Sequence, residues 1–195
     1  MKPIRIALFA SGSGSLLPGF VELAKNDTEC EITCLVLSKE TPARAIAEQA
    51  KIPTLLFPEP NHALIAELKK LDIKLICLAG YLKIISAEFI EAFERNGGVI
   101  INTHPALLPK FGGKGMYGMH VHKKVSEAQE TETGFTVHEV IAAVDEGPII
   151  AQKSANITAG SPPESIRDQV VALEKLYYPD IAFKYAKNKF GQPGS

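Results

Sequence analysis

Residues 97–113 read Gly97-Gly98-Val99-Ile100-Ile101-Asn102-Thr103-His104-Pro105-Ala106-Leu107-Leu108-Pro109-Lys110-Phe111-Gly112-Gly113. The stretch opens with a glycine turn and three β-branched apolar residues, which is typical of a buried strand. Asn102 and His104 lie two residues apart, so in an extended backbone both side chains project from one face. Pro105 ends the strand because it has no backbone N–H to donate. A carboxamide and an imidazole at a strand end indicate either a ligand or catalytic site, or two polar residues that satisfy a loop.

The composition is that of an ordinary globular chain. Its 195 residues are 46% hydrophobic, which suits one domain with a sizeable core. A net charge of −1 and a pI near 6.5 argue against nucleic-acid and membrane partners. No apolar run is long enough to span a membrane, and the N-terminus lacks the pattern of a secretion signal. We therefore expect a cytoplasmic protein, with a single domain over residues 1–190 and a frayed tail over residues 191–195.

The cysteines and histidines do not predict a metal site. Cys30, Cys34 and Cys77 are odd in number and form no C-x-x-C pair. His120 and His122 lie two apart on a predicted helix, so they face different sides instead of one metal. We expect buried reduced thiols, surface or site-lining histidines, and no metal.

Apolar runs alternate with helical patterns along most of the chain. Strands are predicted over residues 4–10, 31–37, 52–57, 73–79, 99–104, 132–140 and 149–155. Helices are predicted to begin near residues 16, 41, 62, 86 and 119, and a last helix begins with a Ser161 cap. That last helix is expected to break near Pro179 and to resume to Lys187. The alternation predicts a Rossmann-like, doubly wound, mostly parallel sheet with helices on both faces.

The turn after the first strand reads Ser11-Gly12-Ser13-Gly14-Ser15 and leads into a helix. It is either an anion site made by free helix-terminal amides or a plain tight turn. The carboxyl ends of strands one, four and five carry this turn, the loop at Tyr81 and the Asn102–His104 pair. In a doubly wound sheet those ends lie along one edge, so we expect them to converge.

Two further residues have more than one interpretation. Asp145 stands in a loop between two predicted strands and either orients an imidazole or closes a turn. His138 lies on a predicted strand, where a hydrogen-bonded structural histidine is the default interpretation.

Five motifs, in order and over nearly the whole chain, carry a resemblance to a known family. They are S-G-S-G-S, L-A-G-Y-L-K-I-I, I-N-T-H-P-A-L-L-P-K-F, V-D-E-G-P-I-I-A-Q and L-E-K-L-Y-Y-P. Together they resemble the phosphoribosylglycinamide formyltransferase family of folate-dependent enzymes in purine biosynthesis. The resemblance implies the formyltransferase fold, in which the C-terminal portion of the sheet is antiparallel.

The resemblance also implies a reaction. The amine of glycinamide ribonucleotide attacks the formyl group of 10-formyltetrahydrofolate, a co-substrate, and gives a tetrahedral oxyanion. Asn102 would donate to that oxyanion, and His104 would stabilise it and pass a proton to the departing folate nitrogen. Asp145 would pair with His104 and tune it.

The binding residues follow from the same resemblance. The substrate phosphate would lie on Gly14, Ser15 and Leu16, and Glu174 would reach the ribose hydroxyls. The folate would contact Leu82, Lys83, Ile84, Ile85, Asn102 and Val144. The implied partners are these small molecules alone, and the chain would be a monomer or homodimer.

The departures from the family pattern include two single residues, beside a more apolar loop at Ile141-Ala142-Ala143 and the lack of an arginine between Phe57 and Leu64. Leu16 stands where the family usually has Asn, and Val171 occupies a position that is often polar. These changes leave three alternatives open. The chain could formylate a different acceptor, hydrolyse the formyl folate with water, or bind folate or nucleotide without catalysis.

Overall fold

The computed structural model describes residues 2–191, and within them the chain forms seven strands and six helices. The strands are β1 Ile4–Ala10, β2 Cys30–Leu37, β3 Thr54–Leu56, β4 Ile73–Leu78, β5 Val99–His104, β6 Glu132–Glu139 and β7 Ile149–Asn156. The helices are α1 Leu17–Lys25, α2 Ala43–Gln49, α3 His62–Lys70, α4 Ala87–Arg95, α5 Met119–Glu127 and α6 Pro163–Phe190. The predicted frayed tail lies, beyond Gly191, outside the described residues.

The strands form one mixed sheet, in the order β3-β2-β1-β4-β5-β6-β7. β1 pairs in parallel with both β2 and β4, and β2 pairs in parallel with β3. β6 and β7 run antiparallel, with Phe135 opposite Lys153. β1 and β4 are buried along most of their length, as their nearly continuous apolar sequences predict for strands of a parallel sheet. The predicted mostly parallel sheet with an antiparallel C-terminal portion is confirmed.

The chain forms two compact units, Met1–Ile101 with Pro179–Ser195, and Asn102–Tyr178. In the first unit the rings of Phe20 and Phe183 lie 6.3 Å apart in the core. In the second unit Phe135, Val137 and Val170 are fully buried. Each such side chain contributes about 1.5–3 kcal/mol when it is removed from water. Each unit therefore has its own apolar core.

The chain after β5 is held by a buried hydrogen-bond network. The Leu108 N–H donates to the Thr136 hydroxyl over 3.0 Å, and that hydroxyl donates to the Ala106 carbonyl over 2.7 Å. The Gln152 amide donates to the Leu108 carbonyl over 2.9 Å. Because these bonds join the loop to β6 and β7, they anchor the chain that leads to Phe111.

Helix α6 corrects one prediction, because it continues through Pro179 without a break. A proline inside a helix removes the hydrogen bond to the carbonyl four residues earlier, here that of Lys175. The side chain of Lys175 is exposed, so water can reach that turn, whereas Tyr178 and Ala182 are fully buried on either side of the proline. Burial on both sides holds the helix together where the local rule predicts a break.

The start of α6 corrects a second prediction. The Ser161 hydroxyl donates to the Thr158 carbonyl over 2.7 Å, so it closes the preceding turn instead of capping the helix.

Cys30, Cys34 and Cys77 are buried, as predicted, and none of the three forms a disulfide. Burial raises the pKa of the Cys34 thiol to about 12. None of the helices in residues 2–191 is both long enough and apolar enough to cross a membrane.

Candidate active site

The end of β5 brings His104 beside Asp145. The Nδ1 atom of His104 lies 3.4 Å from Oδ2 of Asp145, and the imidazole is buried. The other ring nitrogen, Nε2, lies 2.8 Å from the carbonyl oxygen of Phe111. A carbonyl can only accept, so Nε2 carries a proton and donates it to this bond. A second proton, at Nδ1, would be directed at the carboxylate and would turn the ring into an imidazolium with a counter-charge.

The loop around Asp145 holds its carboxylate by backbone geometry. Asp145 itself adopts a left-handed conformation, with φ of 60°. Its Oδ2 accepts the Gly113 N–H over 3.0 Å, and Gly113 has φ of 94°, a region that favours glycine. A Cβ on Gly147 would overlap the Glu139 carbonyl, so a larger residue there would push the loop away from β6. The glycines on both sides thus fix the carboxylate oxygen that faces His104.

His138 joins this group, which the sequence reasoning missed. Its Nδ1–H donates to the Glu139 carbonyl over 2.9 Å, and its Nε2 lies 3.3 Å from Nδ2 of Asn102. Burial is the main cause that lowers the pKa of His138, which favours the neutral ring. Nε2 of that neutral tautomer accepts one N–H of the Asn102 carboxamide. The second N–H of the Asn102 carboxamide is left free. His138 therefore orients the Asn102 carboxamide.

His138 also lies between the two ends of the site, although its unprotonated Nε2 donates no hydrogen bond to Asp145. Its Nε2 lies 3.6 Å from Oδ1 of Asp145, so Asn102, His138, Asp145 and His104 form one continuous group. The signal for His138 was its position at the end of a predicted strand, as for Asn102 and His104. The sequence alone did not reveal the order of the strands in the sheet, in which β6 lies next to β5.

The Gly/Ser turn lies at the carboxyl end of β1. Gly14 has φ of 72°, and a Cβ on it would lie 2.7 Å from the Cβ of Ala43, so both the conformation and the space require glycine. The Ser11 hydroxyl accepts from the Ser38 hydroxyl and from the Leu82 N–H, each over 3.0 Å. These bonds tie the turn to the chain that follows β2 and β4, where the sheet order places parallel neighbours of β1.

Leu16 lies just before α1 and is only 5% exposed. Its side chain belongs to the core and makes no capping hydrogen bond. The Leu17 N–H donates to the Gly14 carbonyl over 2.9 Å, and Pro18 has no N–H. The amides of Ser15 and Leu16, in the turn before the helix, are donors that this helix start can offer to an anion.

The segment Leu82–Ile85, which follows β4, exposes apolar side chains. Leu82 is 66% and Ile84 75% exposed, whereas Ile85 is buried. In the second unit Ile141 and Val144 are also exposed large apolar residues. Exposed apolar side chains next to polar groups are typical of ligand-binding surfaces. Of the predicted folate contacts, Leu82, Ile84 and Val144 thus present free apolar surface.

Glu174 is buried on α6 and accepts a hydrogen bond over 2.8 Å from the Thr103 hydroxyl. Burial raises its pKa to about 7, against the opposing effect of the Thr103 bond. Val171, one turn earlier on the helix, is half-buried.

The two helix histidines differ in their surroundings. His120 is exposed, and its ring lies 5.8 Å from that of Tyr117. His122 is buried, and burial lowers its pKa to about 4, with Arg167 adding to the effect. No group of three or more His, Cys, Asp or Glu side chains suited to a metal occurs in residues 2–191.

A carboxamide with a free N–H, an imidazole and a carboxylate can together stabilise an oxyanion and move a proton, two capabilities that group transfer requires. Residues 4–182 match the formyl transferase family. The chain belongs to that family.

Curated relatives agree with this assignment. The chloroplastic phosphoribosylglycinamide formyltransferases of Vigna unguiculata and Arabidopsis thaliana are 37% and 36% identical to this chain over 91% of its length. The chain spans only 59% and 63% of their respective lengths. The phosphoribosylglycinamide formyltransferase of Bacillus subtilis is 34% identical over 91% of this chain and 92% of its own.

Solved structures share the fold. Glycinamide ribonucleotide transformylase 1 from Geobacillus kaustophilus superposes with a TM-score of 0.82 at 32% identity, over 95% of this chain and 100% of its own. Phosphoribosylglycinamide formyltransferase from Brucella melitensis superposes with a TM-score of 0.80 at 32% identity, over 100% of this chain and 98% of its own.

Proposed function

We propose that this chain transfers the formyl group of 10-formyltetrahydrofolate to the amine of phosphoribosylglycinamide. The observation that carries the proposal is the continuous group of Asn102, His138, Asp145 and His104, held within 3.6 Å from one member to the next. Its chemistry suits acyl transfer, which needs an oxyanion donor and a proton donor together. The names of the relatives in Bacillus, Geobacillus and Brucella support the choice of substrates.

The reaction follows from the atoms of the site. The substrate amine forms a bond to the formyl carbon, and the formyl oxygen becomes an oxyanion. The free N–H of Asn102 donates to it, and the imidazolium of His104 supplies the opposite charge. The bond from carbon to the folate nitrogen then breaks as His104 gives that nitrogen a proton. The proton that the amine loses passes through water to Asp145.

Nε2 of His104 donates to the Phe111 carbonyl over 2.8 Å. Contact with the reacting atoms therefore requires an exchange of partners, in which an oxygen or nitrogen of the ligand replaces that carbonyl. Phe111 has φ of 57°, which is uncommon for a residue other than glycine, and the glycines Gly112 and Gly113 that follow it have wide backbone freedom.

The binding surfaces are assigned by the same reasoning. The backbone of Gly14, Ser15 and Leu16 holds the phosphate, and Glu174 accepts hydrogen bonds from the ribose hydroxyls. The formyl folate lies against Leu82, Lys83, Ile84, Ile85, Asn102 and Val144. Leu82 and Ile84 offer it exposed apolar surface.

We further propose that residues 1–190 act as one catalytic domain, as a monomer or homodimer in the cytoplasm, and without a metal. The three buried cysteines, none of which forms a disulfide, suit a reducing compartment.

The test is an absorbance assay of folate product from 10-formyltetrahydrofolate, run with and without glycinamide ribonucleotide. Product that depends on the acceptor supports the proposal. Product without acceptor indicates a hydrolase instead. If neither assay gives product although the ligands still bind, catalysis is contradicted, and the chain is a binding protein.

A different acceptor is the second candidate, and Leu16 favours it. A buried leucine offers no side-chain hydrogen bond at the phosphate turn, so phosphate recognition there depends on backbone amides alone. Turnover with another amine, and none with the ribonucleotide, identifies this case.

We expect Leu16→Asn to lower the KM for the ribonucleotide about fivefold, because one hydrogen bond to the phosphate is regained. We also expect a lower Tm, since a buried apolar side chain is lost. Leu16→Ala is the matched control, because it loses the packing without gaining an amide. An unchanged KM in the asparagine variant means that the turn works through its backbone alone.

We expect His138→Leu to lower kcat about 100-fold, because the Asn102 carboxamide loses the acceptor that orients it. His138→Gln retains an acceptor oxygen and should keep more activity. Steady-state kcat, measured beside a thermal melt, distinguishes lost orientation from lost folding. Equal rates in the leucine variant and the unmodified enzyme contradict the assignment of His138.

A further inference from the structure

Thr103 stands between Asn102 and His104 in β5. Because side chains alternate along a strand, Thr103 projects from the face opposite to these two. Its hydroxyl donates to Oε1 of Glu174 over 2.8 Å. Thr103 is 9% exposed and Glu174 8%, so the bond is nearly closed to water. The strand that carries Asn102 and His104 is thus joined directly to the carboxylate that we assign to the acceptor.

A buried carboxylate at this position needs support to stay ionised. Burial raises the pKa of Glu174 to about 7, and the Thr103 hydrogen bond is the one cause that lowers it among the described residues. The titratable groups on β5, α5 and α6 include His104, His122 and Arg167, which interact with one another, and also Asp168 and Lys175. None of them contributes to the shift of Glu174. The hydroxyl of Thr103 therefore takes the place that a cation often has beside a buried acid.

We propose that Thr103 is a positioning residue for the acceptor: its hydroxyl keeps the Glu174 carboxyl ionised and turned to accept hydrogen bonds from a vicinal diol. The proposal rests on the proposed function, in which the acceptor carries a ribose. An ionised carboxylate is an acceptor on both oxygens, so one oxygen can take the Thr103 bond while the other takes a substrate hydroxyl. A protonated carboxyl keeps only part of that capacity.

The consequence is a pH dependence in acceptor binding. In the unmodified enzyme the KM for the acceptor rises as the pH falls through about 7, because Glu174 takes up a proton and loses its charge. Without the Thr103 hydroxyl the carboxylate loses a hydrogen bond to a charged group, so the same rise in KM begins at a higher pH. The expected displacement is about one pH unit or more.

The experiment compares Thr103→Val with Thr103→Ser. Valine has nearly the shape of threonine without its hydroxyl, and serine keeps the hydroxyl. KM and kcat for glycinamide ribonucleotide are measured from about pH 6 to about pH 9. We expect the KM profile of the valine variant to move to higher pH and to meet that of the unmodified enzyme at the alkaline end. The serine variant should follow the unmodified enzyme, and kcat should change little in either variant.

A merely structural role gives a different result. A KM raised equally at every pH, or a loss of kcat that serine does not rescue, overturns the proposal. A pH dependence of KM that is unchanged in Thr103→Val also overturns the proposal.

A direct titration separates this proposal from the proposed function. The carboxyl carbons of 13C-labelled glutamate are followed by NMR against pH, and Glu174→Gln identifies the signal. An alkaline displacement of that titration in Thr103→Val supports the role of Thr103 in keeping Glu174 ionised, even if the ribonucleotide is not the acceptor. No displacement overturns it, even if the enzyme formylates the ribonucleotide normally.

Discussion

Replacing His104 by alanine is expected to lower kcat for formyl transfer by about three orders of magnitude. In the proposed mechanism the imidazole supplies both the charge that stabilises the oxyanion and the proton that the folate nitrogen takes. No neighbour replaces it, because His138 already donates to the Glu139 carbonyl and accepts from Asn102. The measurement is single-turnover formation of folate product with saturating ribonucleotide.

The His104 variant needs a control for folding, since a buried ring is removed. His120→Ala is matched, because it removes an exposed histidine from the helix that follows. It should keep its rate and its Tm. His104→Gln fills more of the space than alanine and should be about as slow. Rates near that of the unmodified enzyme in either His104 variant, with the fold intact, contradict the mechanism.

Asp145→Ala is expected to lower kcat by a factor similar to that for His104→Ala, between about a hundredfold and about ten thousandfold. In the proposed mechanism the carboxylate provides the counter-charge for the His104 imidazolium and receives the proton that leaves the amine. It also accepts the Gly113 N–H, so alanine removes a loop contact together with the charge.

Asp145→Asn separates these two roles. The amide oxygen can still accept from Gly113, but the side chain has no charge and cannot take up a proton. We expect a loss close to that of the alanine variant, with a Tm nearer to that of the unmodified enzyme. Glu146→Gln, which removes the neighbouring exposed charge, should leave kcat unchanged. A fast asparagine variant means that Asp145 acts by holding the loop alone.

The fold could be predicted from the sequence because its signals are local. Apolar runs of strand length alternate with helical patterns, and each predicted strand lies within a few residues of the observed one. Pro179 is one exception, where burial of Tyr178 and Ala182 outweighs the preference of proline for a helix end. Local rules fail where the packing of distant residues supplies more free energy than they do.

The candidate site could be predicted only in part. Asn102 and His104 share one strand, so their spacing sufficed, whereas Asp145 was singled out with the help of the family resemblance. His138 needed the order of the strands, because its partners lie 36 and 7 residues away along the chain. Glu174 was assigned by resemblance, but its bond to Thr103 crosses 71 residues and leaves no pattern in the sequence.

The bond from His104 to the Phe111 carbonyl bears on inhibitor design. An inhibitor that places an oxygen against Nε2 gains no hydrogen bond in total, because it displaces one that the protein already makes. A neutral oxygen there should therefore add little affinity. An anionic oxygen should add more, since charge-assisted bonds are about twice as strong as neutral ones. Compounds that mimic the charge of the tetrahedral intermediate should thus be favoured over those that mimic only its shape.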